Sequence, residues 1–523
     1  MLGPVEREVM AQLLAAIPEE MGAVLVRSAR SPNIRERRDS SAALFTGAGD
    51  LIAQAAHIPV HLGAMPDAVR AVLTEAVAGD IWILNDPYQG GTHLPDITVI
   101  EAIAPSAVFA GTRGPERRRR SGALAPLGFA VVRAHHADVG GERPGSMPPG
   151  ARRLEEEGVV IPPTRIAQYG VVDDDVMAGL VARMREPEVR RADFAAQLAA
   201  TARGGERWRD LIVKHGRPWM DGAVADLLDY AERRARAAIG ALREGSYEAV
   251  DVLEGDGISD APLTIRVTVT VRDGRLRCDF GGTAPATEGN VNCPIAVTRS
   301  AALFAARCLI PADVPTNGGV ARCVEVVAPE GCLVHARPPS AVAAGNVETS
   351  QRIADVLFLA LAQAGAAVTA QGQGTMNNVI LGTEAWTYYE TLGGGQGASA
   401  AGDGPSGVHV GMSNPMNTPV EVLEDSLPIR VETYALRRGS GGHGAARGGD
   451  GVVREVRVLE PCQLSLITER RARAPRGLAG GMDGAPGRNL VDGKDVGAKT
   501  ALDLPAGAVV RIETPGGGGF GPA

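Results

Sequence analysis

The sequence predicts a multi-domain α+β protein with mixed sheets, helical segments and a β- and glycine-rich C-terminal part. Three observations predict it: apolar β-branched runs bounded by Pro and Gly within the first 140 residues, a helical stretch over 174–244, and period-two patterning from Tyr247 onward. The 523 residues suffice for two to four domains. The expected regions are 1–245, with a histidine-rich stretch and the helical segment; 246–345, a β-hairpin and α region; and 346–523, rich in strands and glycine.

Taken in order, Val9, Leu13, Leu14 and Ile17, then Met21, Val24 and Leu25, predict a helix pair or a helix kinked at Pro18. The charged segment Ser31–Asp39 reads as a solvated loop, with anion binding by Arg35, Arg37 and Arg38 as the alternative. Ala42 to Gln54 forms a hairpin turning at Gly47–Asp50. His57 and His61 flank Pro59 and are candidate substrate contacts, core or hydrogen-bonding roles being the alternative. A helix over 66–78 and a strand Ile81–Leu84 lead into the stretch that concentrates the chemistry.

That stretch runs from Asn85 to Gly141 and holds three of the nine histidines. Ile97–Ala104 and Leu127–Ala134 read as two strands, and they match in length if Ile97 pairs with Ala134. The hairpin mouth then carries His93 and Asp96 on one arm and His135, His136 and Asp138 on the other. Two imidazoles and a carboxylate converging there suit a divalent cation such as manganese, iron or zinc. His135 and His136 point to opposite faces of a continuing strand, so one of them is a ligand at most. Asp86 is a further candidate catalytic carboxylate, and Asn85 a candidate substrate contact. The basic run Arg113–Arg120 sits at the far end of the hairpin, roughly 26 Å from the mouth at about 3.3 Å per residue, and receives no catalytic role.

Beyond the mouth, helices are expected over 176–184, 189–202 and 218–243, with Gly204 and Gly205 breaking the series. Leu263–Val271 and Leu276–Phe280 form a second hairpin through Arg272-Asp-Gly-Arg275. Further helices cover 297–308 and 353–364. Asn346 and Glu348 precede the latter as candidate substrate contacts, with capping by Thr349 or Ser350 as the plainer reading. The clusters Gly393–Gly397, Gly439–Gly442 and Gly448–Gly451 read as tight turns, since no Gly-x-x-x-x-Gly-Lys-Ser/Thr loop occurs.

Composition narrows the functional classes. A net charge of −8 and a pI near 5.7 argue against nucleic-acid binding. Six cysteines without Cys-x-x-Cys spacing argue against a disulfide framework or thiolate zinc site. Without a signal core or a continuous apolar run of about 18 residues, a cytoplasmic protein without membrane attachment is expected.

Several segments resemble the hydantoinase B family: Glu36-Arg-Arg-Asp-Ser40, His57-Ile-Pro-Val-His61, Gly90-Gly-Thr-His-Leu-Pro-Asp96, His135-His-Ala-Asp-Val-Gly-Gly141, Ala344-Gly-Asn-Val-Glu-Thr-Ser350 and Glu513-Thr-Pro-Gly-Gly-Gly-Gly519. The resemblance runs nearly end to end. It implies a component of an ATP-dependent N-methylhydantoinase or 5-oxoprolinase type complex, a hydrolase acting on cyclic amide C–N bonds. It also implies a hetero-oligomer in which an actin-like ATPase A subunit uses ATP to phosphorylate the substrate oxygen of a small cyclic amide. Carried over, the divalent-metal ligands are His93, Asp96 and His135, with His136 or Asp138 managing protons. The alternatives are the large subunit of an acetone-type carboxylase and a noncatalytic scaffold for the ATPase. The insertion over 105–126 is longer than the family's usual loop.

Overall fold

A computed structural model describes residues 2–105 and 124–523, and the basic run Arg113–Arg120 lies outside the described residues. The β-branched runs of the first region assemble into one antiparallel sheet of seven strands: β1 (Ser40–Thr46), β2 (Leu51–Ala55), β3 (Ile81–Leu84), β4 (Asp96–Ala102), β5 (Gly128–His135), β6 (Thr164–Gln168) and β7 (Val171–Val172). Their order is β2-β1-β5-β4-β3-β6-β7. Ile97 pairs with Ala134, and the ladder extends from Asp96↔His135 to Ala102↔Phe129. Every residue of β4 and β5 is buried, as expected of central strands covered on both faces.

Alternation along β5 divides the two layers that bury it. Ala130, Val132 and Ala134 pack on the helices Pro4–Ser28 and Pro187–His215, while Phe129 and Val131 pack on the helix Met65–Val72. His135 therefore shares the parity of Val131, and His136 turns to the other side. The helix Pro4–Ser28 runs through Pro18 without interruption; it is long and apolar enough to cross a membrane by length and composition. Here Met10, Leu14, Ile17, Met21 and Leu25 face the first sheet's core. Gly204 and Gly205 do not break Pro187–His215, contrary to expectation. They let it approach closely, because a Cβ on Gly204 would lie 2.4 Å from Met21 Sδ.

The second sheet comprises β8 (Gly245–Leu253), β9 (Leu263–Arg272), β10 (Arg275–Asp279) and β11 (Val324–Val327), in the order β11-β10-β9-β8. The β9–β10 turn places Asp273 and Gly274 at φ 51° and 67°, the paired positive values of a tight hairpin turn. Helices Ile295–Leu309 and Ser350–Gln363 cover its apolar face through Val297, Ala301, Ile353 and Leu357. The second of these falls within the expected 346–523 region yet packs on this sheet.

The C-terminal part supplies β12 (Asn378–Gly382), β13 (Thr387–Thr391), β14 (Ile429–Arg437), β15 (Gly451–Val458), β16 (Cys462–Ile467), β17 (Arg488–Val491), β18 (Lys494–Asp495), β19 (Lys499–Leu504) and β20 (Val509–Glu513). They form two sheets, β13-β12-β16-β19 and β14-β15-β20-β17-β18, around a shared core that includes Leu381, Leu464, Leu466, Val456 and Ile512.

The glycine clusters beside these sheets are mostly not the tight turns expected. Gly439 is turn-like at φ 83°, but Gly395, Gly442, Gly449 and Gly516 to Gly519 lie outside the left-handed region. Instead, strand-like segments cross-link: Gly395 N donates to Pro515 O at 3.0 Å, Gly449 N to Gln396 O at 2.9 Å, Gly517 N to Gly449 O at 2.9 Å, and Gly442 N to Gly517 O at 2.9 Å. Neighbouring backbones approach so closely that a Cβ on Gly517 would sit 2.1 Å from Gln396 O. Gly517→Ala should therefore lower the thermal unfolding midpoint, with an overpacking cost of about 1–3 kcal/mol. Gly222→Ala, at an exposed position of the helix Arg217–Ile239 with open space around the new methyl, should leave the midpoint unchanged or raise it.

Candidate metal centre

The β4–β5 register sets Asp96 directly opposite His135. The chain turns just before β4, where Asp96 N donates to His93 O at 3.1 Å, and this brings His93 back over the same strand pair. Three donor atoms then meet. His93 Nε2 lies 3.1 Å from Asp96 Oδ1, His135 Nδ1 lies 3.3 Å from the same oxygen, and the two nitrogens are 3.2 Å apart. All three residues are buried.

Such a triangle fits a cation. Donors about 2.1 Å from a metal at angles of roughly 90–110° stand about 3.0–3.4 Å apart, which matches all three edges. Burial pushes the His135 imidazole below its ordinary value, with the Asp96 hydrogen bond opposing, and so favours the neutral form a metal requires. Burial raises the Asp96 carboxyl, but the charges of His93 and His61 and the hydrogen bonds from His135 and His61 outweigh it and hold the group well below the usual carboxylate range. A His/Asp/His cluster of this geometry could hold a divalent ion.

Two other expected site residues stand beside the cluster. His61 Nε2 lies 3.2 Å from Asp96 Oδ2, and Asn346 Nδ2 lies 3.4 Å from it. Asn346 belongs to a π-helical turn, Gly345–Thr349, that runs directly into Ser350–Gln363. The expected capping by Thr349 or Ser350 is not what the structure shows. Thr349 Oγ1 donates to Val291 O and Ser350 Oγ to Asn346 O, while the buried Glu157 carboxylate accepts from Val342 N and Ala343 N ahead of the turn.

The remaining expected site residues are committed elsewhere. His136 Nε2 is 3.0 Å from Gln197 Oε1 on the opposite face, and its ring packs on Phe194. Asp138 accepts from Gly140 N, Gly145 N and Ser146 Oγ and pairs with Arg185, so it organises its own loop. Neither side chain is hydrogen-bonded to His93, Asp96 or His135 among the described residues. Asp86 accepts from Tyr88 N and Gln89 Nε2, and Asn85 joins Leu94 O, Val159 O and Ile161 N; both shape the turn rather than reach the cluster. His57 faces Glu19 at 3.3 Å. Glu348 accepts from Met376 N and Asn378 Nδ2, and Asn378 Oδ1 in turn accepts from Tyr389 OH.

Tyr389 and Thr92 are not singled out by the sequence as site residues, and Arg37 is named there only as an alternative anion contact. The Tyr389 ring stacks on His135 at 4.6 Å and 18°, and the guanidinium of Arg37 lies 4.6 Å over that ring. Arg37 is fully buried, bonded to Tyr389 O and Thr391 Oγ1, and does not belong to a solvated loop. Thr92 Oγ1 donates to Asp96 Oδ2 at 2.7 Å. Thr92 and Arg37 carry a local signal, in the Gly-Gly-Thr-His and Glu-Arg-Arg-Asp motifs; Tyr389 arrives through long-range packing.

The hydantoinase B/oxoprolinase family model matches residues 3–523. 5-Oxoprolinase 1 of Arabidopsis thaliana is 36% identical across 97% of this chain, which spans 41% of that protein's length. The B component of a putative D-/L-hydantoinase from a Pseudomonas species is 29% identical, covering 99% of this chain and 90% of that one. The crystal structure of an ATP-dependent caprolactamase from Pseudomonas jessenii superposes with a TM-score of 0.89 at 26% identity, covering 100% of this chain and 92% of that one.

Burial and the neighbouring Glu469 carboxylate push the Glu348 carboxyl from 4.5 up to about 8. Below 4.5 it is protonated in both states; between 4.5 and about 8 only the unfolded chain ionises, so stability falls as pH rises through that window. Glu348→Gln should make the decline in thermal midpoint between about pH 5 and pH 8 shallower. Part of the slope should persist, because burial pushes Glu157 up to about 8 as well.

Proposed function

Because the chain belongs to the hydantoinase B/oxoprolinase family, we propose that it is the hydrolytic component of an ATP-dependent complex that opens a cyclic imide or lactam. The observation that carries this reading is the buried convergence of His93, Asp96 and His135 within a family chain. Three similar proteins support it. One relative is named 5-oxoprolinase, another is named as the B component of a hydantoinase, and a structural neighbour is an ATP-dependent caprolactamase. This chain spans 41% of the 5-oxoprolinase, so the longer polypeptide has room for a second catalytic part. That part corresponds in our reading to a separate actin-like ATPase subunit, since this sequence has no phosphate-binding lysine loop.

In the proposed reaction the partner transfers the terminal phosphoryl group of ATP to the ring amide oxygen. Water adds to the activated carbon, the C–N bond breaks with the nitrogen leaving as an amine that takes up a proton, and a second water hydrolyses the resulting acyl phosphate to carboxylate and phosphate. The products are an open-chain amino acid or its N-carbamoyl analogue, ADP and phosphate. His93, Asp96 and His135 would hold a divalent cation, which would supply Lewis-acid activation of the substrate oxygen or of water.

His93→Ala and Asp96→Ala should each abolish metal content and turnover when the chain is assayed with its ATPase partner on 5-oxoproline, hydantoins and a ketone such as acetophenone. Full metal occupancy in either variant would overturn the ligand set. Incorporation of labelled bicarbonate into product would instead favour an ATP-dependent ketone carboxylase, and full activity of metal-free protein a scaffold role.

A further inference from the structure

The Asp96 carboxylate is held more tightly than either imidazole beside it. Its Oδ1 faces His93 and His135. Its Oδ2 takes three hydrogen bonds from three separate parts of the chain: Thr92 Oγ1 at 2.7 Å from the turn before β4, His61 Nε2 at 3.2 Å from the helical turn Pro59–His61, and Asn346 Nδ2 at 3.4 Å from the π-helical turn. By contrast, His93 Nδ1 and His135 Nε2 have no hydrogen-bond partner among the described residues. Metal-bound imidazoles are ordinarily fixed by a bond at the second ring nitrogen, and here that support falls on the carboxylate instead.

Of the three donors, His61 is the best anchored. A carboxylate oxygen only accepts, so His61 Nε2 carries the hydrogen, and Nδ1 lies 3.0 Å from Ser41 Oγ. Ser41 lies on β1, paired with Arg133 of β5, so the line Ser41–His61–Asp96 returns to the strand that carries His135. The segment after His61 is clamped as well: Gly63 N donates to Ser300 Oγ at 3.0 Å, and a Cβ on Gly63 would lie 2.9 Å from the Ser300 backbone. His61 stands outside the set of mutually close ligand atoms.

We propose that His61 is a positioning residue that locks the Asp96 carboxylate so that only Oδ1 is presented to a cation held with His93 and His135. The inference rests on the metal-centre reading above. Binding of cobalt(II) by the purified chain, followed by visible absorption, separates the two. Wild type should bind cobalt with a defined ligand-field spectrum. His61→Ala should weaken binding about 10–100-fold and change the spectrum, as the carboxylate becomes free to offer both oxygens. His61→Gln, whose amide nitrogen reaches a similar position, should recover most of the affinity and the wild-type spectrum. Thr92→Val removes the other close donor at nearly constant shape and should weaken binding in the same direction, which keeps the test informative if His61→Ala fails to fold. Wild-type affinity and spectrum in both His61→Ala and Thr92→Val would overturn the role of His61 and leave the ligand set standing. No cobalt binding by the wild type would overturn the ligand set, and this inference with it.

Discussion

The antiparallel register between β4 and β5 is the constraint on which the rest of this structure depends. It sets Asp96 against His135, and a one-residue slip would turn every side chain on one strand to the opposite face. The register is pinned because both strands are buried on both sides, so a slip would exchange packed partners along seven pairs at once. The helices Pro4–Ser28 and Pro187–His215 enforce it from one side and Met65–Val72 from the other. Even the glycines of Pro187–His215 serve this end, since their missing side chains let the helix lie flush on the sheet.

Around this frame the protein buries an unusual amount of charge, and each of the following groups is compensated. Arg352 reaches Glu469 at 3.2 Å, Arg470 reaches Asp251 at 3.0 Å and Asp355 at 2.7 Å, and Lys499 reaches Glu469 at 2.5 Å. Buried pairs of this kind cost much of their attraction in desolvation, so their value lies less in net stability than in fixing how segments meet. These join the helix Ser350–Gln363 to β8 and to the loop after β16. The π-helical turn carrying Asn346 is therefore held between the second sheet and the C-terminal sheets. The same logic applies to Arg37, buried between Asn33 and the β13 backbone, whose guanidinium covers Tyr389 and through it the His135 ring.

The glycine-rich segments show how a local motif acquires a different meaning in context. Taken singly, Gly393–Gly397 or Gly516–Gly519 has the composition of a turn. Packed together, the segments donate and accept across one another at backbone contact distance, and glycine is required because any side chain would collide with a neighbouring carbonyl. Cβ-free residues were legible in the sequence; the neighbours that demand them were not, because those neighbours come from segments far apart along the chain, as Gly517 does from Gln396.

The amino-acid sequence by itself determined the mixed fold class, the strands and register of the first hairpin and the β9–β10 turn, whereas the choice of His135 over His136 beside His93 and Asp96 came from the family resemblance. The strands, register and turn follow from short-range chemistry: β-branched runs, turn residues and the period of two that places Ile97 opposite Ala134. Tertiary structure alone decided which polar residues face the cluster and which do not. His136, one residue from His135, is turned to Gln197 by the pleat, and Asp138 is claimed by the loop it closes. His61, Asn346 and Tyr389 reach the site from positions up to 254 residues distant from Asp96 or His135. Such convergence depends on how sheets and helices stack, an outcome of many distributed apolar contacts that no local pattern encodes.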